Sequence, residues 1–183
     1  MAKTLVIIAH PDLSKSLVNQ RLADEIKKYP EEFTVHYLNE IYPDGNINVA
    51  AEQKLIERHQ NVVFQFPIYW FSSPPLLKAW QDQVLTYGWA YGSKGNAFVG
   101  RKLALAVSAG AGEESYVKTE QGGNSMEEVL LPFQLSADYI KADYQSPFVF
   151  YGLDSTIDRA STAEELADLE RGAQDYVDYL RSL

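Results

Sequence analysis

Three short stretches carry the residues best suited to chemistry. The first is Ala9-His10-Pro11-Asp12-Leu13-Ser14-Lys15-Ser16-Leu17-Val18-Asn19. It follows the apolar run Leu5-Val6-Ile7-Ile8 and opens a helix with Val18, Leu22, Ile26 and Tyr29 on one face. A strand, a polar loop and a helix N-terminus together make an anion site, because unpaired amides and the helix dipole face any phosphate placed there. The hydroxyls of Ser14 and Ser16 and the Asn19 amide are candidate donors, although either serine can equally be only an N-cap. The second stretch is Pro67-Ile68-Tyr69-Trp70-Phe71-Ser72-Ser73-Pro74-Pro75. Flat rings and backbone amides on one loop suit a planar ligand, with core filling as the competing reading. The third, Ser108-Ala109-Gly110-Ala111-Gly112, is built of small residues that let backbone amides approach a ligand closely, and Tyr116 follows in the same loop.

Each stretch must be positioned by the element before it. Leu5–Ala9, Asn61–Phe66, Lys102–Val107 and Pro147–Tyr151 are short apolar runs of the kind buried on both faces of a parallel sheet. Phe33–Leu38 alternates and reads as an edge strand with His36 on its surface. Helices alternate with these runs. Ser73 is predicted to cap the helix that carries Leu76, Leu77, Trp80, Val84 and Tyr87, with Pro74 at its first position. A helix spans Ala50–His59, where His59 suits the dipole better than catalysis. Ser125 with Glu128 and Ser161 with Glu164 form capping-box patterns, and Pro132 is expected to break or kink the helix it falls in. The sum is an α/β doubly wound, five-stranded parallel sheet of order 2-1-3-4-5 with helices on both faces, in one domain over residues 1–183. In that order strands one, three and four are neighbours, so the three stretches meet at one crevice. A phosphate cradle, an aromatic wall and close backbone together suit flavin mononucleotide.

Composition narrows the classes. The net charge of −9 and the lack of a basic stripe argue against nucleic acid as a partner. With no cysteine, disulfides, thiolate catalysis, Cys-ligated zinc and iron–sulfur clusters are excluded, and no metal site is expected. No G-x-G-x-x-G follows the first strand, which disfavours a Rossmann dinucleotide site. Gly95–Lys102 fails as a P-loop because its lysine does not directly follow the second glycine, no Ser/Thr comes after it, and it precedes a strand. Met1-Ala2-Lys3-Thr4-Leu5 lacks a signal-peptide layout and no run nears the ~20 apolar residues of a membrane span, so a cytoplasmic location is expected.

These residues carry a resemblance. Ala9-His10-Pro11 with Ser16 and Asn19, the string from Pro67 to Lys78, Gly88-Trp89-Ala90-Tyr91-Gly92 and the Ser108–Glu113 turn resemble the flavodoxin-like NAD(P)H:quinone oxidoreductase family, which includes DT-diaphorase. The chain is most similar to its short bacterial branch, which includes ancillary subunits of glutathione-gated potassium efflux systems. The resemblance covers roughly residues 3 to 180. It implies a flavodoxin-like fold and an enzyme that passes hydride from NAD(P)H through flavin to a quinone-like acceptor. FMN is expected over FAD because no adenine-binding extension is evident. Ser16, Leu17, Val18 and Asn19 would hold the flavin phosphate, with His10 beneath. Pro67, Ile68, Tyr69, Trp70 and Phe71 would line the isoalloxazine, and Ser108, Ala109, Gly110 and Ala111 would close over its other edge. Tyr116 falls where mammalian members keep a tyrosine that stabilises reduced flavin. Their histidine six residues further on is Gly122 here, so water or backbone amides would stand in for it. The family forms homodimers, which would put Trp89 and Tyr91 near a shared substrate site or in dimer packing. The alternative reading is a regulatory subunit bound to a potassium efflux transporter at the inner-membrane surface. A one-electron carrier is disfavoured, since a carrier exposes its flavin edge.

Overall fold

The computed structural model describes residues 4–119, 122–153 and 161–183. Met1 to Lys3, part of the stretch examined for a signal-peptide layout, lie outside them. The sheet consists of β1 (Thr4–Ile8), β2 (Phe33–Tyr37), β3 (Asn61–Pro67), β4 (Lys102–Ala109), β5 (Asp143–Tyr144) and β6 (Phe148–Tyr151). Every pairing is parallel: β1 lies between β2 and β3, β3 pairs β4, and β4 pairs both β5 and β6. The order β2-β1-β3-β4-β5 is the one expected, with β2 at an edge. Among the described residues, six α-helices surround it: α1 (Leu17–Ile26), α2 (Leu38–Ile41), α3 (Val49–Glu57), α4 (Pro75–Val84), α5 (Met126–Tyr139) and α6 (Ala163–Ser182).

Alternate residues of each strand point to opposite faces. Val6, Ile8, Val63, Ala104 and Ala106 pack under Leu22 and Ile26 of α1 and Leu169, Ala173 and Val177 of α6. Leu5, Ile7, Phe64, Phe66 and Leu105 pack under Ile56 of α3, Trp80 of α4 and Phe133 of α5. Burial on both faces explains why these strands read as unbroken apolar runs.

Several local expectations need correction. The fifth strand position is filled by two segments, because β5 pairs with Lys102 and Leu103 and β6 with Ala106 to Ala109. Pro147, which has no N–H to donate, lies in the gap. Pro74 is itself the N-cap of α4 and Pro75 its first residue, with no cap from Ser73. Helix α5 runs on through Pro132 without breaking. The Ser125–Glu128 capping box is present, whereas the last helix is capped one residue later than expected, by Thr162 and Glu165.

His36 is not a surface residue. Its side chain is 13% exposed and its Nε2 lies 3.0 Å from Oε1 of Glu52, at ion-pair distance but out of hydrogen-bond alignment. Glu52 is buried and accepts from Tyr42 Oη at 2.7 Å and Trp80 Nε1 at 2.8 Å. This carboxylate ties β2, α3 and α4 together. Burial alone would push Glu52 up, but the contacts with His36, Tyr42 and Trp80 outweigh it and hold the carboxyl below its usual range.

Candidate functional site

Helix α1 begins where β1 ends. Ser16 is its N-cap: Oγ accepts from the Asn19 amide at 3.1 Å and from Asn19 Nδ2 at 3.2 Å. The amides of Leu17 and Val18, in the first turn, have no carbonyl within the helix to bond. With the dipole behind them they form an anion cradle, to which Ser16 can add its hydroxyl hydrogen. Asn19 is 1% exposed and its side chain donates to Ser16 and, at 2.9 Å, to Ser108 Oγ. It therefore orders the cradle and does not face into it. Ser14 donates to Asp12 Oδ1 at 2.6 Å, and Lys15 pairs with Asp12 at 2.7 Å. His10 accepts the Asp12 amide at Nδ1, 3.1 Å away, which leaves the proton of a neutral ring on Nε2. Burial outweighs the nearby Asp12 charge and lowers the His10 pKa, favouring that neutral ring.

The aromatic loop leaves β3 at Pro67. Ile68 donates its amide to Ser108 O at 2.8 Å, which stitches the loop to the end of β4. Tyr69 and Ser72 then exchange two backbone hydrogen bonds, at 2.9 and 3.0 Å, around a two-residue turn. Its central residues, Trp70 and Phe71, have φ values of +48° and +59°. Such a tight turn normally demands Asn-Gly, and a non-glycine residue held there stores roughly 1–3 kcal/mol of strain. Two large aromatic residues in those positions are pushed outward, leaving Trp70 94% and Phe71 65% exposed. Tyr69, by contrast, is partly covered and meets His10 edge to face at 6.2 Å.

Beside the third stretch, Gly152 donates to the carbonyls of Ala109 and Ala111 at 3.0 and 3.1 Å. The three loops enclose a cleft of about 600 Å³, within the ~300–1,000 Å³ range of small-molecule sites. His10, Ser16, Val18, Pro67, Ile68, Tyr69, Trp70, Ser108 and Gly110, all candidates from the sequence, line it together with Asp12, Lys15 and Leu153. Leu17, Phe71, Ala109 and Ala111 are not among its lining residues; Leu17, Phe71 and Ala111 are exposed and Ala109 is buried. Tyr116 does not line the cleft; its ring packs at 5.6 Å on Tyr151, the last residue of β6. Trp89 and Tyr91 are likewise elsewhere. The Trp89 indole donates to Glu57 at 2.9 Å and meets Phe98, while Tyr91 joins the exposed rings of Tyr87 and Tyr139.

Sequence reasoning missed the polar support beneath the cradle. Gln65, in the middle of β3, is fully buried on the α1 and α6 face. Its Nε2 donates to Asn19 O at 3.0 Å, and its Oε1 accepts from the buried Tyr176 hydroxyl of α6 at 3.1 Å. A lone amide inside an apolar strand was the available signal, since a buried amide requires partners.

A parallel sheet of this order, with its site outside the carboxyl ends of β1, β3 and β4, defines a flavodoxin-like protein. Residues 2–173 match the family described as having a flavodoxin-like fold, and the chain belongs to that family. A solved structure of general stress protein 14 from Treponema denticola in complex with FMN is 51% identical, with a TM-score of 0.88 and 98% of each chain covered. The uncharacterized NAD(P)H oxidoreductase YrkL of Bacillus subtilis is 41% identical over 98% of both chains. The glutathione-regulated potassium-efflux system ancillary protein KefF of Salmonella typhimurium is 40% identical over 80% of this chain and 82% of its own.

Proposed function

We propose that the chain is an FMN-dependent NAD(P)H oxidoreductase acting on a quinone-like acceptor. The observation that carries this reading is the joining of an anion cradle, an aromatic wall and a small-residue loop around one cleft. The FMN complex of the similar Treponema protein and the oxidoreductase name of the Bacillus relative support it. The donor set fits the cofactor: the Leu17 and Val18 amides and the Ser16 hydroxyl suit a phosphate, while the charge of Lys15 at the same end is paired with Asp12. Bound FMN would supply two-electron chemistry, taking hydride from NAD(P)H and giving it to the acceptor.

The chain's own residues bind and orient. Ile68, Tyr69 and Trp70 would wall the planar ring, and Gly110, which lines the cleft with them, would offer backbone to it. Neutral His10 offers Nε2–H as a donor at the cleft floor, a supporting role and not a proton relay. Burial raises the Tyr69 pKa, so its phenol stays protonated and adds no charge beside the ring. Tyr116 packs on Tyr151 and does not line the cleft; with FMN bound, its hydroxyl would serve as a donor to the reduced ring, the role the family resemblance implies. Exposed Phe71, Tyr87 and Tyr139 would form the contact with a second copy, bringing Tyr91 toward a shared substrate site.

The test is steady-state oxidation of NADH and NADPH by FMN-loaded protein with and without quinones. Acceptor-dependent turnover is expected; flavin binding without oxidation of either nucleotide by any quinone rejects the oxidoreductase reading. Similarity to the potassium-efflux ancillary protein favours a second reading, docking on a transporter. Co-purification with a potassium efflux transporter would support it.

A further inference from the structure

The Gln65–Tyr176 pair lies outside the cleft yet is bonded to its phosphate end. Gln65 Nε2 donates to the carbonyl of Asn19, the third residue of α1, at 3.0 Å. Asn19 in turn holds Ser16 Oγ and Ser108 Oγ through Nδ2. The Tyr176 hydroxyl donates to Gln65 Oε1 at 3.1 Å, and that bond fixes which end of the amide faces α1. Gln65 and Tyr176 are both 0% exposed. Neither can exchange its partner for water, and losing one bond leaves a buried polar atom unpaired. The chain of bonds therefore runs from α6 through β3 to the first turn of α1 and across to the end of β4. Ser108, at its far end, lines the cleft and accepts the Ile68 amide through its carbonyl, whereas the side-chain bonds of Gln65 and Tyr176 go to α1 and to each other.

We infer that Gln65 and Tyr176 are positioning residues that set the geometry of the α1 anion cradle, and so determine how far the protein prefers a phosphorylated flavin to the same flavin without its phosphate. This inference rests on the flavin reading proposed above. A cradle of backbone amides acts through direction. Small rotations of the first helical turn misalign the Leu17 and Val18 N–H groups and the Ser16 hydroxyl while leaving Ile68, Tyr69 and Trp70 in place. Burial pushes the Tyr176 pKa well above that of a free phenol, so its hydroxyl stays a donor across the working pH range.

The experiment compares FMN and riboflavin dissociation constants for the wild-type chain, Tyr176→Phe and Gln65→Met. Tyr176→Phe keeps the ring and removes only the hydroxyl. Wild-type protein is expected to prefer FMN strongly. In Tyr176→Phe the FMN constant should rise about tenfold, while that of riboflavin changes less than about twofold. Gln65→Met should erode the preference further; if it fails to fold, Tyr176→Phe decides alone. An unchanged FMN-to-riboflavin ratio in folded Tyr176→Phe overturns the inference, as does an equal weakening of both ligands, which marks a merely structural role. Wild-type protein that binds neither flavin overturns the parent reading itself, and this assignment with it.

Discussion

Replacing Trp70-Phe71 by Asn-Gly separates strain from packing at the aromatic turn. Both residues sit at positive φ, where an L side chain costs roughly 1–2 kcal/mol relative to glycine. Asn tolerates this region, so Trp70→Asn recovers part of that cost, and Phe71→Gly recovers most of it. Two terms oppose the gain. Glycine loses about 0.5–1 kcal/mol more backbone entropy on folding. Phe71 is 65% exposed, so removing the covered third of a side chain worth about 1.5–3 kcal/mol when fully buried forfeits about 0.5–1 kcal/mol. Trp70, at 94% exposed, forfeits almost nothing. The double variant should thus be as stable as the parent or up to about 1 kcal/mol more stable, raising Tm by up to about 2–4 °C. Cofactor or acceptor affinity should nevertheless fall roughly 2- to 12-fold with loss of an aromatic wall worth about 0.5–1.5 kcal/mol. Thermal unfolding and flavin titration at low protein concentration give both numbers. A loss of more than about 1 kcal/mol in stability would refute the reasoning, since it would mean that these rings are packed within the single chain.

Three further outcomes are expected. Ser16→Ala removes the α1 N-cap, lowers stability by about 1–2 kcal/mol, and weakens FMN more than riboflavin, as denaturant unfolding and flavin titration would read. Glu52→Gln flattens the acid limb of the stability profile: the folded carboxyl is held low, so its stabilisation is full above the unfolded value of 4.5 and lost as pH falls through the folded value. Chemical denaturation from pH 7 to pH 3 would show wild-type protein losing stability faster than the variant. Tyr116→Phe should leave FMN affinity intact and slow flavin reduction in stopped-flow by about tenfold, the loss of a hydrogen bond worth about 1.4 kcal/mol.

Much of the architecture is legible in the chain because burial on both faces writes parallel strands as apolar runs, and loops at their carboxyl ends follow from topology. The alternating Phe33–Leu38 segment pointed to an edge strand, which favoured the strand order that is observed. What depends on distant partners was not legible. Gln65 meets Asn19 and Tyr176 across 46 and 111 residues of sequence, and nothing near it names them. His36 alternates like a solvent-facing strand residue, yet Glu52 of α3 lies against it. Trp70 and Phe71 violate the turn chemistry from which such a turn is read, so its shape was invisible until the backbone was seen. Trp89 was read for a shared substrate site or dimer packing; within the chain its indole donates to Glu57 of α3.

The most direct test of the account is an anaerobic spectrum. Purified protein is mixed with FMN, desalted and titrated with NADPH and then NADH. Absorbance near ~450 nm that survives desalting and bleaches on nucleotide addition is the predicted result, a flavin held where hydride reaches it. Protein that retains no flavin from excess FMN, or retains one that neither nucleotide bleaches, would contradict it.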